Sequence, residues 1–223
     1  MTGSVAIASP VSSALRAARV LSGNGEAARK GAVDDRVLVQ QVLEGDERAF
    51  KRIVEEHFDA VARTVTGMLG ASAEVDDAVQ DVFIKLHANL ATFRGDASLR
   101  TFVTRMAINR SLDVLRQRKR RRWMQTWGLA SELDAAGATT PATTGLEQQD
   151  LDERLREALE TLPRKQRTVV VLRLIEGLST EETARVLDIK YGTVLSRLKR
   201  ATDHLREVLS ANGTLEMLEE NPT

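Results

Sequence analysis

Six of the seven side chains from Arg116 to Arg122 are basic, inside the stretch RSLDVLRQRKRRRWMQ. The whole chain of 223 residues balances 32 Lys and Arg against 32 Asp and Glu, so this is a local concentration and not a global bias. Two uses fit it: a solvated helix end, or a grip on a polyphosphate. Trp123 and Trp127 lie just beyond, four residues apart, and either stack on bases or pack at the end of a helix; packing is the expected use. Bond-making chemistry finds little support. There is no cysteine, which removes disulfides, thiolate metal sites and thiol nucleophiles, and suits a reducing cytoplasm. The three histidines, His57, His87 and His204, are scattered, without a glycine-rich phosphate loop or a nucleophile paired with a base. No catalytic residue, metal or cofactor is expected.

The elements that must carry the cluster read as helices almost throughout. Apolar residues make up 42% of the chain and aromatic ones only 4%, so cores of Leu, Val and Ala are expected, and an all-α fold in two small domains. Leu38 and Val42 share one face; Gly45 ends that helix and Asp46 caps the next. There Phe50, Ile53, Val54, Phe58, Val61, Val65 and Leu69 follow three-four spacing. Gly70 stops it, and Ser72 is the expected cap of a third helix with the stripe Val75, Val79, Val82, Phe83, Leu86 and Leu90. After the loop ATFRGDAS a long helix runs from Ser98 to about Arg122 and ends in the basic cluster.

Composition then changes. Residues 130–150 hold no aromatic and no basic side chain and read as a flexible linker. About 20 such residues reach roughly 66–72 Å when extended, more than the roughly 34–36 Å of one duplex turn. The boundaries expected are an extension over 1–33, a first domain over 34–125, a linker over 126–150, a second domain over 151–210 and a tail over 211–223. The acid-poor start also has the look of an organelle transit peptide, but a disordered extension is the favoured reading. No apolar run approaches a membrane span.

The second domain carries the clearest signal. Leu151, Leu155, Leu159 and Leu162 mark a helix ending before Pro163, and RKQRTVVVLRLIEG a second one ending at Gly177. Ser179 and Glu182 then have the spacing of a capping box, opening a short helix with Ala184 and Leu187 inside. A break around Asp188–Tyr191 leads to a longer helix, which together make a helix-turn-helix. On that longer helix Val194, Leu198, Ala201, Leu205 and Val208 face the core. Ser196, Lys199, Arg200 and Asp203 fall opposite, with Thr193 and Arg197 on the flanks. Hydroxyl and basic groups at the leading end of such a helix suit base edges and phosphates in a major groove; the bland rival is a helical hairpin with a solvated basic face.

Two motifs together name a family. GLSTEETARVLDIKYGTVLSRLKRA, preceded by LPRKQRTVVVLRL, resembles region 4 of the extracytoplasmic-function (ECF) sigma factors of the sigma-70 family. DDAVQDVFIKLHANLATFRGDASLRTFVTRMAINRSLDVLRQRKRR resembles region 2 of the same group. The likeness covers roughly residues 34–125 and 150–210, with no third domain between. It implies a subunit that binds core RNA polymerase, directs it to minus-10 and minus-35 promoter elements and helps melt the DNA, in the cytoplasm and held inactive by an anti-sigma factor until a signal arrives.

Carried over by position, Asp76, Asp77, Gln80, Asp81 and Lys85 would meet the clamp helices of the largest polymerase subunit. Asp77 and Asp81, four apart, make a joint negative patch, although a merely solvated face has the same look. The minus-10 reader would be the loop Phe93, Arg94, Gly95 and Asp96 with Phe102, Arg105, Asn109 and Arg110 on the helix after it. Asn109 would address a flipped base, and Arg110, Arg116, Arg118, Lys119 and Arg120 would track phosphates. The second domain would bind the flap of the second-largest subunit and present Lys190, Tyr191, Thr193, Leu195, Ser196, Arg197, Lys199 and Arg200 to the minus-35 element.

Two positions depart from the family pattern. Phe102 stands where the family usually has Trp, and serves either as a stacking platform or as core. Leu195 replaces a Lys or Arg, so a thymine methyl is read there or the element differs. A helix-turn-helix operator-binding regulator acting without polymerase is the rival reading; it leaves the acidic helix and the Asn109 constellation unused.

Overall fold

The computed structural model describes residues 32–126, 146–211 and Thr214. Expectations for the N-terminal extension, most of the linker, Trp127 and the tail lie outside the described residues. Every regular element among those described is helical, as the composition predicts, and none is long and apolar enough to cross a membrane. The helices fall into two units.

The first unit holds α1 (Ala32–Leu43), α2 (Glu47–Leu69), α3 (Glu74–Asn89), a 3-10 turn (Leu90–Thr92) and α4 (Leu99–Thr126). Punctuation follows the sequence. Gly45 takes φ +97°, which glycine alone adopts without strain, and the Asp46 carboxylate accepts from the Arg48 and Ala49 amides at 2.8 and 3.4 Å. Gly70, at φ +72°, returns its amide to the Thr66 carbonyl. Helices α2, α3 and α4 pack on one another, with α1 against α2. Ile53, Val65, Met68, Val82, Leu86, Leu90 and Leu99 are wholly buried there.

Two expectations change. Phe58, placed in the α2 stripe by its spacing, is 47% exposed and lies parallel to Phe83, ring centres 6.1 Å apart. Ser72 does not cap α3. That helix starts after Ala73 without a side-chain cap, and its three first-turn acids, Glu74, Asp76 and Asp77, answer the helix dipole instead.

The second unit holds α5 (Leu146–Thr161), α6 (Arg164–Val170) extended by one wide π turn (Val171–Ile175), α7 (Thr180–Leu187) and α8 (Tyr191–Ala211). Helix α5 begins at Leu146, inside the stretch that composition marks as linker. Leu155, Ala158, Leu159, Leu162, Val170, Leu174, Ala201, Leu205 and Leu209 form one core. Leu209 closes it where three-four spacing names Val208, which is only partly buried. In the wide turn the Glu176 amide reaches back to the Val171 carbonyl at 2.9 Å, one residue further than α geometry allows.

Candidate nucleic-acid and protein interfaces

Helix α3 offers a ridge of the i, i+3, i+4, i+7 kind. Asp77, Gln80 and Ile84 are exposed on it, with Asp81 partly so. Asp76 and Lys85 are exposed beside it. Ile84 was not among the residues marked by sequence, yet it is 66% exposed, a large apolar group amid carboxylates. Its signal was legible: it falls off the Val79–Val82–Leu86 stripe and onto the line of Asp77 and Asp81. Polar groups around one apolar knob are the usual make-up of a protein-docking face.

Asp81 is not a freely presented carboxylate. Its Oδ2 lies 2.6 Å from Arg110 Nη2, and the Arg110 side chain is only 17% exposed. Arg110 was expected to track phosphate; its guanidinium is instead turned against α3, tying that helix to α4. The reason is local: Arg110 sits on the side of α4 that packs on α3, where an uncompensated charge would be costly.

The loop after α3 brings several expected residues together. Phe93 and Phe102 meet edge to face with ring centres 5.5 Å apart, both half-buried. Phe102 is therefore neither pure core nor a free platform: Phe93 supports one side of it. Arg94 and Asp96 are exposed around Gly95, which has φ +72°. Arg105 and Asn109 follow Phe102 along the exposed side of α4, and Arg116 and Arg120 continue the line with Lys119 beside it. Arg116 pairs with Asp113 one turn back.

Arg118 points the other way. Its Nε and Nη2 grip the two Glu74 carboxylate oxygens at 3.1 and 2.9 Å, Nη1 donates to the Leu69 carbonyl at 3.1 Å, and Nη2 reaches Ser72 Oγ at 2.5 Å. Ser72 and Glu74, the expected cap and first turn of α3, are thus consumed in fastening the α2–α3 corner to α4. The Arg118 hydrogen bonds hold the Glu74 carboxyl below the ordinary carboxylate range. The Arg118 guanidinium is thus engaged within the fold, while Lys119, Arg120, Arg121 and Arg122 are exposed. Trp123, expected to pack, is 58% exposed at the end of this run.

In the second unit the capping box forms as its spacing requires. The Ser179 amide donates to Glu182 Oε2 at 2.7 Å and the Glu182 amide to Ser179 Oγ at 3.1 Å. Asp188, with φ +50°, makes the turn into α8. The first turn of α8 carries no acidic residue, leaving its amide end suited to phosphate. Lys190, Tyr191, Leu195, Ser196, Lys199 and Arg200 are exposed along its leading half, with Thr193 and Arg197 on the half-buried flanks. At Gly192 nothing stands within 4 Å of where a Cβ would be, so a partner can approach the backbone there. Tyr191 and Leu195, 49% and 45% exposed and one turn apart, give this face an apolar patch fit for thymine methyls. Lys199 and Arg206 share Asp203 at 3.1 and 3.5 Å, which leaves Arg200 the more available guanidinium for a phosphate or guanine edge.

Among the described residues no group of His and carboxylates is arranged to hold a metal. His57 lies on the buried face of α2 and burial pushes its pKa down, so the ring is neutral near pH 7.

Comparison with known proteins agrees with the two halves. Residues 53–121 match the family model Sigma-70 region 2, and residues 152–205 the model Sigma-70, region 4. The ECF RNA polymerase sigma-E factor of Escherichia coli (strain K12) is 34% identical over 174 residues, covering 76% of this chain and 91% of that one. The ECF RNA polymerase sigma factor SigW of Bacillus subtilis (strain 168) is 32% identical over 179 residues, covering 77% and 94%. In the solved complex of CnrH with the cytosolic domain of CnrY, 97% of the matched chain and 79% of this one superpose with TM-score 0.60 and 28% identity. The sigma factor RpoE of Bartonella quintana, solved with the anti-sigma factor NepR, gives TM-score 0.58 and 26% identity over 96% of that chain and 72% of this one.

Proposed function

Because the chain belongs to the sigma-70 family, within its ECF RNA polymerase sigma factors, we infer that it is a transcription initiation factor. It binds core RNA polymerase, brings it to promoters with minus-10 and minus-35 elements, and assists melting. The Asp77–Gln80–Ile84 ridge of α3 docks on the clamp helices of the core enzyme, its carboxylates meeting basic side chains and Ile84 entering an apolar pocket. Phe93, Arg94, Asp96, Phe102, Arg105 and Asn109 receive the minus-10 strand, while Lys119 and Arg120 hold its phosphates. Helix α8 reads the minus-35 duplex through Tyr191, Leu195, Ser196, Lys199 and Arg200. NepR and the cytosolic domain of CnrY hold related chains, and a protein of that class is the regulator proposed here.

The observation that carries this reading is the α3 ridge: an exposed isoleucine among carboxylates, a surface whose charge would repel phosphate. An operator-binding regulator has no use for it. Run-off transcription with purified core enzyme tests the reading, since only a sigma subunit makes initiation promoter-dependent. Asp77→Lys is expected to lower core affinity at least about tenfold with melting temperature unchanged, because Asp77 is exposed. Unaltered core binding by this variant would remove the ridge from the interface.

A further inference from the structure

We infer that α1 is the positioning element of the minus-10 loop, acting through two consecutive residues, Asp35 and Arg36. This rests on the reading of residues 93–98 as the strand-receiving loop. Asp35 is 5% exposed, and its Oδ2 accepts the Leu99 amide at 2.8 Å across 64 residues of sequence. That amide opens α4, so a carboxylate from α1 caps the helix that carries Phe102, Arg105 and Asn109. Ser98 supplies a second, local cap to the Thr101 amide at 3.2 Å. Arg36 Nη2 donates to the Gly95 carbonyl at 3.1 Å. A Cβ built on Gly95 would stand 2.3 Å from Arg36 Nε, so the guanidinium lies directly against the Gly95 backbone.

The loop is therefore held at three points. Its entry is fixed by the Phe93 amide on the Leu90 carbonyl at 3.0 Å and by the Phe93–Phe102 ring contact. Its apex is held by Arg36 and its exit by Asp35. Between these points Arg94 and Asp96 project outward and are exposed. Helix α1 is itself a firm base, since Leu38 and Val39 are each only 5% exposed. A loop that must capture an unstacked base does so more tightly when it is ordered beforehand, because binding then carries less of the ordering cost. Asp35 and Arg36 supply that order without touching DNA, which makes them positioning residues. Gly95 fits the same device: its positive φ shapes the apex, and its lack of a side chain admits the guanidinium.

The test uses the full chain assembled with core RNA polymerase, and compares Arg36→Ala, Arg36→Lys, Asp35→Ala, Asp35→Asn and the loop control Arg94→Ala. Three quantities are read: core affinity, affinity for a single-stranded minus-10 oligonucleotide, and the rate of promoter opening from a fluorescent base in the non-template strand. Arg36 is exposed, so Arg36→Ala should keep wild-type melting temperature and core affinity while losing about fivefold in oligonucleotide affinity and opening rate. Arg36→Lys, with one donor left for the carbonyl, should recover part of the loss. Asp35→Asn keeps an acceptor for the Leu99 amide and should open faster than Asp35→Ala, both measured well below their own melting temperatures. Wild-type opening by Arg36→Ala, or equal opening by the two Asp35 variants, overturns the proposal. The Arg94→Ala control then separates the causes: if it is impaired, the loop reading stands and only the α1 clip falls; if it is not, both fall.

Discussion

Helices α4 and α8 both carry basic residues, nine in the 28 residues of α4 and four in the 21 of α8, but they spend them differently. Two of the arginines on α4 turn inward: Arg110 pairs with Asp81 of α3, and Arg118 holds Glu74, Ser72 and the Leu69 carbonyl. On the leading half of α8 Lys199 and Arg200 stay on the surface, and Lys199 pairs with Asp203 of the same helix. The first unit joins long helices at a sharp corner whose backbone carbonyls and carboxylates need cationic partners. The second closes the turn into α7 with a capping box, Ser179 against Glu182, and meets its corner carbonyls with arginines outside α8: Arg167 on Glu160 and Leu162, and Arg173 on Leu178. A count of cations in sequence therefore overstates what α4 presents to a partner by more than it does for α8.

The sharpest way to break this contrast is Arg118→Ala. It strips partners from Glu74, Ser72 and Leu69 together and should cost the first unit about 2–3 kcal/mol. Denaturant unfolding would show it, and Arg118→Lys should rescue poorly because a lysine cannot grip both carboxylate oxygens. A loss of DNA affinity with stability intact would instead return Arg118 to the phosphate-binding set. Next in size is Arg200→Ala, which should leave stability within about 0.5 kcal/mol but weaken minus-35 duplex binding by about 1–3 kcal/mol and lower the salt dependence. Unfolding by that variant would mean that α8 too uses its cations for folding.

The smallest expected effect is on pH dependence, confined to the first unit. His57 is held neutral by burial, with its folded pKa below the ordinary 6.5. The unfolded chain therefore takes up a proton first, and stability should decline as pH falls from about 6.5 toward the folded value. Glu74, held below 4.5 mainly by Arg118, adds a contribution present above that value and lost as pH falls further. Thermal melts from pH 7 to about 3 should thus show a shallower decline in His57→Gln as pH falls from about 6.5, and in Glu74→Gln as it falls below about 4.5. Parallel curves for wild type and both variants would contradict these assignments.

Much of this was legible in the residues. Gly45, Asp46 and Gly70 marked the first helix boundaries, and the Ser179–Glu182 spacing foretold both of its hydrogen bonds, because punctuation and capping are settled within a few residues. What was hidden were contacts between elements distant in sequence. Nothing local distinguishes Arg118 from Lys119, or tells that Ser72 will serve a guanidinium 46 residues on. The Asp35–Leu99 cap, 64 residues apart, is equally silent. Phe58 and Trp123 show the same limit from the other side: spacing places an aromatic on a helix face, but only the packed neighbours decide whether that face is covered.

The π turn at Val171–Ile175 has a consequence for anyone recombining such chains. It is in effect an α-helix with one residue too many, and the wide turn absorbs the extra residue so that the chain on either side keeps nearly the azimuth of a regular helix. A chimaera that carries the extra residue into a regular helix, without the wide turn to absorb it, would rotate its new head by about 100° of azimuth, so junctions belong outside this segment.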